Sequence, residues 1–109
     1  MNRDRLHLSH IRESIARIED YTRAGKEAFA ADPRTQDAVV RNFEVIGEAV
    51  KRLSVQAKSK QPDIPWREVA GFRDILIHDY ELVDYLEVWN IIAHHLPQLR
   101  KAVEAMLAP

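Results

Sequence analysis

A chain of 109 residues, 46% hydrophobic and 30% charged, has the apolar surface for one packed core and is expected to form a single domain over residues 1–109. The absence of cysteine excludes disulfides and thiolate metal sites, and no apolar run approaches the roughly 20 residues of a membrane span. With 16 Lys+Arg against 17 Asp+Glu and a net charge of −1, the chain lacks the basic excess of a general nucleic-acid binder, so any such role must rest on a local patch.

The first ten residues are charged where a signal peptide needs an apolar stretch, and a cytoplasmic location is expected. Leu8, Ile11, Ile15 and Ile18 then recur at steps of three and four, the spacing of one buried helical stripe, with Arg12, Glu13, Arg17 and Glu19 between them. Gly25 interrupts that pattern. Asp32-Pro33 is a start signal, because the carboxylate can cap free amides and proline suits the first helical position. The second helix is predicted from Pro33 to about Ala57, burying Val39, Phe43, Ile46, Val50 and Leu53. Gly47 inside it costs about 1 kcal/mol relative to alanine, as expected where a neighbouring helix packs closely.

Ser59 to Pro65 reads as a polar loop, and Asp63-Ile64-Pro65-Trp66 opens a short third helix that reaches His78. It should carry Trp66, Val69, Phe72, Ile75 and Leu76 inward. The last helix is predicted from Asp84, its N-cap, with a stripe of Leu86, Trp89, Ile92 (or Ala93), Leu96, Leu99 and Val103. Pro97 should bend it or mark a register break. Four amphipathic helices with short connections predict an all-α antiparallel bundle of four main helices, with room for an extra short one.

The segment from Gly71 to Tyr80 concentrates the chemistry, as an R-x4-H-x-Y pattern at the end of the third helix. Arg73 supplies a permanent charge in a fork that matches phosphate oxygens. His78 brings the side-chain type best suited to moving protons in acid–base chemistry, and Tyr80 offers a hydroxyl as a hydrogen-bond partner or a substrate. Asp74 and His78 are i,i+4 and share a face, so the carboxylate could orient the imidazole. Arg73 and His78 stand about 140° apart on an ideal helix, so arginine's reach, an unwound helix end or a second subunit must close the gap. The shortfall is a reason to expect a composite site across a dimer. The same residues also suit a plain surface, with Arg73 and Asp74 solvated and His78 favoured by the helix dipole.

The histidine pairs His7/His10 and His94/His95 raise zinc binding, but Glu-x-x-His partners are missing and adjacent histidines diverge by about 100°. No metal site and no cofactor is therefore expected. Glycine-rich phosphate loops, G-x-S-x-G elbows and H-E-x-x-H motifs are absent from the sequence. Most basic residues are read as solvated surface, although Lys51 and Arg52 could border a nucleic-acid groove.

Arg41-Asn42-Phe43-Glu44-Val45-Ile46-Gly47-Glu48-Ala49, Ile64-Pro65-Trp66, and Gly71-Phe72-Arg73-Asp74 running to His78-Asp79-Tyr80 occur in that order. Together with Val88-Trp89 and Leu96-Pro97-Gln98-Leu99, they make nearly the whole chain resemble the HepT-like family of the HEPN superfamily. The resemblance implies the toxin of a toxin–antitoxin pair, a metal-independent endoribonuclease active on RNA as a homodimer. It also implies a cognate minimal nucleotidyltransferase as antitoxin, transferring AMP to Tyr80. Arg73 and His78 would be catalytic and Tyr80 the modified residue. The family commonly has Asn where this chain has Asp74, and an ionised carboxylate cannot donate to phosphate. Its expected role is to orient His78.

Two other readings stand beside this one. A non-catalytic helical subunit of a nucleotidyltransferase would suit the near-neutral charge, and a purely structural dimerisation bundle would need none of the motif residues. Keeping both a proton carrier and a fixed cation favours the nuclease.

Overall fold

Residues 2–78, 81 and 83–109 are described by the computed structural model. Among them the chain is all-α, and seven helices stand where four main ones are expected: α1 Asn2–Tyr21, α2 Lys26–Ala31, α3 Pro33–Arg52, α4 Val55–Ser59, α5 Trp66–His78, α6 Tyr85–His94 and α7 Leu96–Leu107. The extra ends have local causes. At Ser54 the expected second helix stops, because the Ser54 hydroxyl accepts the Ala57 amide at 3.0 Å and caps a new helix. Asp4 of α1 holds that corner, accepting the Ser54 amide at 2.9 Å and its hydroxyl at 2.7 Å. The Asp4 carboxyl consequently sits below its ordinary pKa, through the Ser54 backbone bond first and the hydroxyl second.

The other break lies at His95, two residues before Pro97. Proline has no amide to offer the preceding turn and its ring crowds the carbonyl four residues back, so α6 ends and α7 begins with Pro97 in its first turn. The unexpected α2 follows Gly25, whose φ of 99° lies where L side chains rarely go. It is tied down by Phe29, 2% exposed, and by Gln36, whose amide donates to the carbonyls of Phe29 and Ala30 at 2.9 and 3.1 Å. Asp32 caps α3 as expected, accepting the Arg34 amide at 3.0 Å, with Pro33 at its start. Asp84 caps α6 in the same way through the Leu86 amide at 2.9 Å.

Helix α3 is the centre of the bundle, packed against α1 on one side and α5 on the other, while α7 closes on α1 and α6. The core joins the predicted stripes of α1 and α3 to Leu76, Val88, Ile92, Leu96, Leu99 and Val103. Two expected core residues are exposed instead, Ile75 at 51% and Leu86 at 59%. Each lies one residue from a position that does face inward, Leu76 and Tyr85, and consecutive helical residues point about 100° apart. Phe43 of α3 and Phe72 of α5 meet edge to face at 5.5 Å between ring centres, fixing the rotation of α5 about its axis. No described helix is long and apolar enough to cross a membrane.

Candidate active site

Arg73 projects from α5 at its crossing with α3, and the crossing is close because position 47 of α3 is glycine. A Cβ there would overlap the Arg73 Cβ and come within 3.3 Å of its Cγ. The arginine stem thus lies against the α3 backbone, and its guanidinium meets Glu48 of α3 on one side and Asp74 of its own helix on the other. Its Nε lies 3.1 Å from Glu48 Oε1 in an ion pair, and one terminal nitrogen donates to Asp74 Oδ1 at 3.2 Å. Arg73 is left only 26% exposed.

Each carboxylate has a second cation. Glu48 Oε2 lies 3.2 Å from Arg52 Nε, and Asp74 Oδ1 accepts from Lys51 Nζ at 2.9 Å. Three cations and two carboxylates therefore alternate across the helix pair, with one positive charge in excess. The Lys51 hydrogen bond, followed by the charges of Lys51 and Arg73, keeps the Asp74 carboxyl below its ordinary pKa and so ionised at neutral pH.

Beside this network opens a groove of about 560 Å³ floored by α3. Arg41, Glu44, Glu48 and Arg52 recur along its floor at helical spacing, His7 and His10 of α1 form one wall, and Arg73 and Ile77 of α5 form the other. A space of this size can accept a nucleotide-sized ligand.

The sequence-predicted residues are only partly brought together. Arg73 and Asp74 share one network, whereas His78, the last residue of α5, is exposed and does not line the groove. Among the described residues no hydrogen bond joins Asp74 to His78. The carboxylate expected to orient the imidazole instead links Lys51 to Arg73, because the close α3–α5 crossing brings the Lys51 ammonium within its reach. The expected modification site, Tyr80, lies outside the described residues. His7 and His10 pack edge to face at 6.3 Å between ring centres, and no group of three His, Cys, Asp or Glu side chains suited to a metal occurs among the described residues.

Glu48 escapes a reading of the motif alone, since it lies 25 residues before Arg73. The available signal is its place beside Gly47: a charge next to a glycine in a buried stripe marks where another backbone arrives with something to be met.

Comparison with known proteins adds an independent line. The description "Ribonuclease HepT-like" matches residues 11–106. A protein of Methanocaldococcus jannaschii named "Gamma-glutamylcyclotransferase and putative RNase MJ0434" is 41% identical over 100 residues, which are 91% of this chain and 45% of that protein. The chain thus spans less than half of that relative. It spans nearly all of two others. "Putative RNase TTE0752" of Caldanaerobacter subterraneus is 41% identical over 108 residues, 98% of this chain and 96% of the relative. "Probable ribonuclease HepT" of Thermococcus cleftensis is 42% identical over 101 residues, 92% of each chain. No solved structure matches the chain significantly.

Proposed function

The chain belongs to the HepT-like family of ribonucleases, and on that premise we propose that it cleaves RNA internally, without a metal, through Arg73 and His78. The observation that carries the proposal is a guanidinium fixed on two helices at the edge of an open groove. RNA brings its own nucleophile. The 2′-oxygen attacks the adjacent phosphorus while the bond to the 5′-oxygen breaks, one proton leaves the 2′-hydroxyl and one reaches the departing oxygen. His78 moves a proton in this exchange, and Arg73 stabilises charge on the pentacoordinate phosphate. Asp74 serves by holding Arg73 rather than by touching RNA. The products are a 2′,3′-cyclic phosphate and a 5′-hydroxyl.

A composite site answers the separation of Arg73 and His78 along α5, so the working form is a homodimer in which the two copies present these residues to a shared cleft. In the cell the protein acts as the toxin of a pair, in the cytoplasm. Its antitoxin is a minimal nucleotidyltransferase that adds AMP to Tyr80, placing bulk and negative charge two residues from His78 and repelling RNA phosphates.

The test is cleavage of RNA by purified protein in EDTA, with product ends mapped. Cleavage should leave cyclic-phosphate ends and fall by about 100-fold or more in His78→Ala, the scale of a lost general acid–base group. Undiminished cleavage by His78→Ala would remove that residue from the mechanism. AMP transfer to a Tyr80→Phe variant would move the modification site elsewhere. A non-catalytic subunit would bind the nucleotidyltransferase and leave RNA intact.

A further inference from the structure

We propose that Glu48 of α3 is the positioning residue for Arg73, a role that rests on the reading of Arg73 just given. Two consecutive residues of α3 receive this one arginine. Gly47 leaves the space for its stem, since any Cβ would overlap it, and Glu48 pairs ionically with its Nε at 3.1 Å. The Glu48 carboxylate is itself tethered, with Arg52 on its other oxygen at 3.2 Å, one helical turn away. On the far side Asp74 holds a terminal nitrogen at 3.2 Å and is steadied by Lys51 at 2.9 Å. The guanidinium is gripped from two helices, against the rotamer freedom that a long side chain otherwise keeps.

Half-exposed ion pairs of this kind add little to stability. Their effect falls on the reaction, because a cation already oriented when substrate arrives stabilises developing charge without reorganising. Glu48 has a second, opposite influence. Its negative charge sits beside the guanidinium and weakens the attraction of that corner for an incoming phosphate. The two influences separate by substitution. Glutamine keeps the side chain's length and a carbonyl oxygen beside Nε but removes the charge, whereas alanine removes both.

The experiment measures kcat and KM on a short single-stranded oligoribonucleotide for the parent, Glu48→Gln, Glu48→Ala and Arg73→Ala, with thermal unfolding of each. Glu48→Ala is expected to lose about 10- to 100-fold in kcat, the scale of a misplaced catalytic group. Glu48→Gln is expected to lose only about 2- to 3-fold in kcat and to lower KM, because ground-state attraction rises while the grip remains. A structural ion pair alone would shift the melting temperatures and leave both constants at parental values, overturning the proposal. An equal collapse of kcat in both Glu48 variants would overturn it as well, since the grip would then not be what matters. If Glu48→Ala keeps parental kcat while Arg73→Ala is inactive, Glu48 has no part and the ribonuclease reading stands. Parental cleavage by Arg73→Ala would overturn that reading and this one together.

Discussion

Arg73 occupies a position with little tolerance on its inner side. Its Cβ faces the bare Cα of Gly47, and the neighbouring Phe43–Phe72 contact prevents α5 from rolling away without loss of aromatic packing. Gly47→Ala should therefore behave unlike an ordinary glycine-to-alanine change in a helix. The gain in helix propensity of about 1 kcal/mol is opposed by overpacking of about 1–3 kcal/mol. The expected result in chemical denaturation is a net loss of stability, together with RNA cleavage reduced more than the stability loss explains. A net gain in stability with parental cleavage would mean that α5 can shift freely and that the crossing does not fix Arg73.

The α3–α4 corner shows how one contact between helices can set where an element stops. Ser54 does two jobs, capping α4 through Ala57 and donating to Asp4. Ser54→Ala should cost about 1 kcal/mol through the lost cap, plus the share of the Asp4 interaction carried by the hydroxyl. The backbone amide of residue 54 still donates to Asp4 in the variant. Because the Asp4 pKa in the folded chain is depressed below 3.8, its contribution is fully present above that value and disappears as pH falls through the lower, folded value. The difference in denaturation midpoint between parent and Ser54→Ala should therefore be constant from neutrality to about pH 5 and narrow below pH 3.8. What persists in acid is the capping part, which carries no charge. A gap independent of pH would show that the hydroxyl's bond to Asp4 contributes nothing. The break at His95 has a plainer origin in Pro97 and splits the last helix, while Ile92, Leu96, Leu99 and Val103 stay in the core on both sides of it.

Across the bundle, a chain of net charge −1 concentrates Lys51, Arg52, Arg73 and Arg41 along the α3–α5 side, where they outnumber the carboxylates they meet. Leu6, 53% exposed, and Ile77, 39% exposed, stand on the walls of the same groove. Apolar side chains beside a cationic strip suit a face that is covered in the working state. Sedimentation at the concentrations used for cleavage should give a species of twice 12.6 kDa. A monomer that cleaves RNA at full rate would remove the need for a composite site and require Arg73 and His78 of one chain to meet on the substrate.

The all-α class, the stripes of α1 and α3, the caps at Asp32 and Asp84 and the position of the R-x4-H segment follow from the order of residues alone. Each depends on neighbours within one or two helical turns, where 3.6-residue periodicity and capping chemistry act directly. The halting of α3 at Arg52 is different, because the local Ser54 cap is itself held by Asp4 from 50 residues away. So is the pairing of Asp74: local spacing pointed to His78, four residues on, but the carboxylate met Lys51 across the helix crossing. Gly47 is legible as a point of close helix packing, but the residue that packs there is not. Glu48 acquires its meaning only when α5 lies against α3, because a side chain's ionic partner is decided by which helices touch and at what rotation. Sequence determined which residues could do chemistry; the packing of α3 on α5 decided how Arg73 is held.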